Sequence, residues 1–268
     1  MHGRPEPGWI GATLSAARQP PRAPRVPLAI GSCTVGSIEA GLAARLCTAL
    51  PDRIRLASSE VATLAGEAEG ALHAVAHWLR AHDLTEGWRD ELLAVMDDRN
   101  RTLARVERGA VRPLGIRTRA VHLVGYTAQG SLWMQQRARD KAVDPGQWDT
   151  LRGGLLAADE TVEQALEREL WEEAGLHLAQ LEELARGTIA RVERPLERGY
   201  MVEDVEPYFA LVPPGLEPHN LDGEVERFER VPLAGLAQLI AGPGVTLEAR
   251  LTLVAYLRRA SRPAEDAG

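Results

Sequence analysis

Three carboxylates fall within five positions at Glu169, Glu172 and Glu173, and a glycine-bounded loop precedes them at Gly154. Glutamates at this density offer hard oxygen ligands of the kind that hold Mg2+ or Mn2+. A cation held that way can neutralise a diphosphate. The helix that must carry them is predicted from Val162. Thr161 and Gln164 form a capping-box pair, no Pro or Gly interrupts the run, and Gly175 is placed to end it in a left-handed conformation. At about 100° per residue, Glu169, Glu172 and Glu173 share one stripe with Val162, Ala165 and Leu166. Glu163, Gln164, Glu167 and Trp171 point elsewhere. A solvated acidic face would lie opposite the apolar stripe. These glutamates continue it, at spacings where like charges repel and at the negative end of the helix dipole. Spacing alone leaves a solvated face and a cation site both open.

A second acidic run is Asp222-Gly223-Glu224-Val225-Glu226. In a strand, Glu224 and Glu226 face the same side. One reading is a turn followed by a charged edge. The other is that one of them completes a metal shell or deprotonates water, with Glu224 the first choice and Glu226 the second. A base outside the helix spares the metal-binding glutamates a second, incompatible task. Arg137 and Lys141, the only lysine of the chain, are candidates to take diphosphate charge. Trp148 could stack on a heterocycle or fill the core. His122 reads as a satisfied core residue.

Gly154, five residues, Glu160, seven residues, then Arg168-Glu169-Leu170-x-Glu172-Glu173-x-Gly175-Leu176 fills every position of the Nudix box, and the chain resembles the Nudix hydrolases. The resemblance implies that Glu169, Glu172 and Glu173 ligate Mg2+ or Mn2+, with a further oxygen from the Gly153 carbonyl and Glu173 also catalytic. It implies that Gly154, Glu160, Arg168 and Gly175 shape the box, Glu160 and Arg168 through ion pairing. Trp133-x-x-Gln136-Arg137-x-x-x-Lys141, Pro145-Gly146-x-Trp148-Asp149, Gly153-Gly154 and Asp222–Glu226 resemble one branch, related to thiamine pyrophosphokinase and carrying an extra N-terminal domain. Ile30-Gly31 to Val35-Gly36 and Trp88-Arg89-x-Glu91-Leu92 extend the likeness to residues 28–240. One departure is His122-Leu123-Val124-Gly125-Tyr126, where that branch has His-x-Asn-Gly-Tyr. The branch implies hydrolysis of thiamine diphosphate or damaged analogues to the monophosphate. Alternatives are hydrolysis of oxidised or ordinary nucleoside di- and triphosphates, and a non-catalytic diphosphate sensor, against which every box carboxylate is kept. Isopentenyl-diphosphate isomerase shares the Lys…Pro-Gly-x-Trp segment but needs a cysteine just before the box. Here that stretch is Thr150-Leu151-Arg152-Gly153-Gly154, and the only cysteines are Cys33 and Cys47.

The elements around the site follow from the rest of the chain. Residues 1–27 carry six prolines and read as a Pro/Arg-rich tail. Residues 28–112 read as a small α/β domain. Within it, strands are expected at 28–30 and 53–56 and a helix at 38–50. A long helix from a cap at Ser58 or Ser59 is expected to run through Arg80, followed by a strand or short-helix pair at 88–95 and 102–106. Residues 113–260 read as an α/β/α sandwich with a mixed sheet, and 261–268 as a tail. Its strands are expected at 120–126, 131–135, 185–192, 205–212 and 224–231, with helices after Thr161 and over 247–257. A net charge of −7 with no basic block argues against a nucleic-acid polymer as partner. No apolar run is long enough to span a bilayer, no signal pattern is seen, and two cysteines make no disulfide framework. A cytoplasmic protein acting on a small diphosphate is the expectation, with dimerisation common among such enzymes.

Overall fold

The central strands of the C-terminal half are buried in near-continuous runs, because their sheet is covered on both faces. The computed structural model describes residues 8–57, 60–141, 143–242 and 244–260. The N-terminal part runs α1 (Gly8–Ala16), β1 (Arg25–Ile30), β2 (Cys33–Glu39), α2 (Ala40–Ala49), β3 (Ile54–Ala57), β4 (Val61–Leu64), α3 (Ala68–Ala81), β5 (Leu92–Met96) and β6 (Thr102–Glu107). Strands β2-β1-β4-β3 form a sheet in that order, with β1 and β4 parallel, and β5 and β6 form an antiparallel hairpin. Leu28, Ile38, Leu46, Leu72, Val75 and Leu79 pack between this sheet and its helices.

The C-terminal part runs β7 (Arg117–Tyr126), β8 (Ser131–Arg137), β9 (Trp148–Asp149), β10 (Arg152–Leu155), α4 (Val162–Ala174), β11 (Glu182–Arg186), β12 (Ala190–Leu196), β13 (Gly199–Leu211), β14 (Val225–Pro232), α5 (Leu233–Ala241) and α6 (Leu247–Ala260). The eight strands form one mixed sheet with the central order β11-β13-β7-β8-β14, and β7 and β13 are its parallel pair. Helix α4 covers one face, where Ala165, Leu166 and Leu170 meet Val121, Leu123 and Trp133. Helices α5 and α6 cover the other, where Leu236, Ile240, Ala249 and Leu253 meet Val124, Leu132, Met134 and Phe209. The result is an α/β/α sandwich preceded by a smaller α/β region, as the strand and helix pattern predicts. Among the described residues no helix is long and apolar enough to cross a membrane.

Several elements depart from the sequence expectation. The stretch 8–16, read as tail, is a helix whose Ile10 is buried and which packs on α6. The prolines lie on either side of it and leave its interior free. Ser58 and Ser59, the expected caps of a long helix, lie outside the described residues. The segment after them is strand β4. Gly66 stands at φ +76° between strand and helix, and Glu67 caps α3 by accepting bonds from the Glu69 and Gly70 amides at 2.8 and 2.6 Å. A left-handed residue cannot continue a helix, so the long run splits there. The strand expected at 185–192 is two strands, β11 and β12, parted around Gly187. A Cβ at Gly187 would lie 2.7 Å from the Phe209 ring, so the chain passes that ring only as glycine.

Candidate active site

Helix α4 is built by the capping signals in its sequence. Thr161 Oγ1 accepts from the Gln164 amide at 3.2 Å, and Gln164 Oε1 accepts from the Thr161 amide at 2.8 Å. Gly175 ends it at φ +62°, and a Cβ there would meet the His219 ring at 2.5 Å. The His219 amide donates to the Ala174 carbonyl at 2.9 Å. The end of the helix therefore anchors the loop that leads to Asp222 and Glu224.

Of the three glutamates expected on the inner stripe, Glu169 and Glu173 are buried and Glu172 is exposed. Glu172 stands at the edge of the stripe, within 3.5 Å of Arg168. Arg168 also donates to Glu160 at 2.5 and 2.8 Å, to Glu169 Oε1 at 2.7 Å and to the Leu155 carbonyl at 3.3 Å. Glu160 Oε2 accepts from the Ala157 amide at 3.1 Å, which closes the box loop on itself. The N-terminal hairpin braces the same loop from outside. The Ala158 amide donates to the Leu92 carbonyl at 2.8 Å, and Arg105 reaches Asp159 at 3.1 Å.

Glu173 meets the second acidic run. One carboxylate oxygen each from Glu173, Asp222 and Glu224 lies within 4.8 Å of the others. Lys141 bonds Glu224, and its Nζ is 3.9 Å from Glu173 Oε1. Gln135, on β8, donates to Glu173 Oε2 at 3.2 Å, while its own Oε1 is buried without a hydrogen-bond partner. Three carboxylates and an orphaned amide oxygen form a donor set of hard oxygens, which suits a divalent cation such as Mg2+ or Mn2+. The Lys141 ammonium stands beside them as a positive group. Burial lowers the pKa of Lys141. Burial raises the carboxyl of Glu224, but the bond to Lys141 outweighs it and leaves the group below its ordinary range.

Glu226 does not join this group. The register of β14 against β8 shifts between Val225 and Arg227, so Glu224 and Glu226 lose the common side that regular alternation gives them. Glu226 pairs instead with Arg139 at 3.3 Å on the surface. Arg137 lies on the inner face of β8, donating to the Val143 carbonyl at 3.1 Å with Nη1 3.8 Å from Asp149. Trp148 packs against the α5 and α6 core, with Arg227 5.1 Å from its ring centre. Gly153 pairs with His122 across β10 and β7, and a Cβ there would strike the imidazole at 2.5 Å. His122 is buried, and its Nδ1 lacks a hydrogen-bond partner, 3.8 Å from Asp149. It is therefore not the satisfied core histidine expected, and burial lowers its pKa. A Cβ at Gly154 would land on the Glu169 carboxylate.

Three residues here escaped the sequence reading of the site: Asp222, Gln135 and Arg152. Asp222 carried a signal, as the first member of its acidic run. Gln135 carried none. Arg152 is a charged residue in a buried strand, and its guanidinium bonds Glu169 and is ion-paired with Glu173. Burial lowers its pKa to about 9, which leaves it charged at neutral pH.

A family model described as the NUDIX domain matches residues 116–248. Among curated proteins, the uncharacterized Nudix hydrolase PA4841 of Pseudomonas aeruginosa is 36% identical over 96 residues, which are 36% of this chain and 57% of that one. Chloroplastic Nudix hydrolase 24 of Arabidopsis thaliana is 30% identical over 181 residues, 64% of this chain and 49% of that one. The latter match is longer than the 116–248 span, so it runs beyond it. The chain spans about half the length of the curated relatives it matches. Among solved structures, DR0079 from Deinococcus radiodurans is similar at 22% identity and a TM-score of 0.48, over 64% of this chain and 100% of that one. The matched span contains the whole box, the carboxylate group and all eight strands of the sheet, and residues 116–248 are a Nudix domain.

Proposed function

We propose that the chain is a hydrolase of small organic diphosphates that works with a divalent cation bound at the group formed by Glu173, Asp222 and Glu224. The observation that carries this reading is the convergence of the three carboxylates, drawn from a helix and a loop far apart in sequence. A cation bound there supplies charge neutralisation of the diphosphate oxygens. Glu173 and Asp222 hold it. Arg137 and Lys141 line the approach and take the remaining phosphate charge. The proton of the attacking water goes to Glu224. The Glu224 side chain is 43% exposed and water reaches it, whereas that of Glu173 is 3% exposed and closed off. Glu169, Glu160 and Arg168 hold the loop and helix in place. Glu172 stands at the rim, paired with Arg168, and by the resemblance would add a further oxygen to a bound cation.

The resemblance of the segments flanking the box makes thiamine diphosphate the first substrate to test, and the group beyond the diphosphate the first variable. The experiment is phosphate or monophosphate release from thiamine diphosphate, its oxidised analogues, and a set of nucleoside di- and triphosphates and nucleotide-sugar diphosphates, with Mg2+ or Mn2+ and with chelator. Metal-dependent release from at least one is expected. No release from any, with either metal, would leave a diphosphate-binding protein and remove the enzyme.

A further inference from the structure

Arg152 stands between the two buried glutamates of the box. Its Nη2 bonds Glu169 Oε2, and its Nη1 forms an ion pair with Glu173 Oε2 without a hydrogen bond. Its side chain is as deeply buried as theirs. Arg168 takes the other oxygen of Glu169 at 2.7 Å. Both oxygens of Glu169 are thus engaged by guanidinium groups. Glu173 is divided: Oε2 faces Arg152 and Gln135, and Oε1 faces Lys141 at 3.9 Å. A planar fork of N–H donors is well shaped to bridge two carboxylates in this way. Two buried carboxylates four residues apart on one helix would otherwise need another positive group between them. The backbone makes the placement possible. Gly153 and Gly154 follow Arg152 on β10, and the absent side chain of Gly154 leaves room for the Glu169 carboxylate against the strand.

We propose that Arg152 is a resident cation that replaces a metal ion in this site. It fills the space between Glu169 and Glu173 and confines divalent binding to the Glu173–Asp222–Glu224 group, so that the chain binds one ion where it would bind two without the arginine. This rests on the reading of that group as the cation site. Arg152 is a positioning residue: it sets how many ions the carboxylates hold.

The test is a titration of the full chain with Mn2+ alone, read by calorimetry and by the electron paramagnetic resonance of free Mn2+. Wild type is expected to bind one ion per chain. R152M, which keeps length and removes charge, is expected to bind two, the second at a concentration at least tenfold below any second binding in wild type. Its thermal midpoint should fall in chelator and recover with Mn2+. R152K, which keeps the charge, should return to one ion. If R152M does not fold, R152Q carries the same expectation of two. One ion in both wild type and the uncharged variant would overturn the inference and leave the cation site standing. Two ions already in wild type would overturn it as well. No ion in either would overturn the cation site itself.

Discussion

Glu169 and Glu173 share a type, a helix and a degree of burial, yet their neighbours give them different work. Glu169 is closed by Arg152 and Arg168, while Glu173 keeps one oxygen toward Asp222 and Glu224. The box was legible because its spacing is a statement about one helix and one tight loop. The partners were not. An arginine in a strand ordinarily reads as a surface residue, so Arg152 gave no sign of its position. Glu224 and Glu226 were indistinguishable by alternation, and only the register shift between Val225 and Arg227 separates them. Gly154 offers a direct check at this scale. Gly154→Ala sets a methyl against a carboxylate that two arginines hold in place. Overpacking of this kind costs about 1–3 kcal/mol, so the urea midpoint should drop accordingly. An unchanged midpoint would mean that Glu169 is free to move aside.

Elements were readable where local chemistry decides them. The capping box and the left-handed Gly175 define α4, and the Gly130 turn joins β7 to β8. They were not readable where tertiary packing decides. Helix α1 carries two glycines in nine residues and holds by docking on α6. Helix α5 was also missed, being a short apolar stretch directly after a strand, with Gly235 inside it. The break at Gly187 depends on a phenylalanine from another strand. Gly175→Ala tests the link between helix end and loop. The left-handed conformation penalises any side chain, and His219 occupies the space the methyl would need. A loss of about 1–2 kcal/mol from the backbone strain alone is expected in urea denaturation. The same variant should bind Mn2+ more weakly, because the loop bearing Asp222 is displaced with His219. A loss of stability with unchanged Mn2+ affinity would separate the two elements.

The whole molecule adds a bracing region and a buried charge network. The N-terminal hairpin holds the box loop through Leu92 and Arg105. Arg112, beyond that hairpin, reaches Glu203 of β13 at 2.6 Å in a buried pair. Near this pair lies Glu248, also buried, with Arg194 3.4 Å away. Burial first, and then the charge of Glu203, raise the pKa of Glu248 to about 7, against the opposing pull of Arg194. Between the ordinary glutamate value and about 7 the folded chain binds a proton that the unfolded chain has released. Stability from this group is therefore full below about 4.5 and is lost as pH rises through about 7, a change of roughly 3 kcal/mol. Thermal midpoints across pH 4.5–8 should decline more in wild type than in E248Q. Parallel curves would show that Glu248 ionises normally.

The central claim is that Glu173, joined with Asp222 and Glu224, holds the cation that drives diphosphate hydrolysis. Its most direct measurement is turnover of the best substrate in the diphosphate set by wild type and Glu173→Gln, at saturating Mg2+ or Mn2+. Glutamine keeps the volume and removes the charge. A loss of at least a hundredfold in kcat, with an unchanged circular dichroism spectrum, is the expected result; turnover by Glu173→Gln within a few-fold of wild type would contradict it.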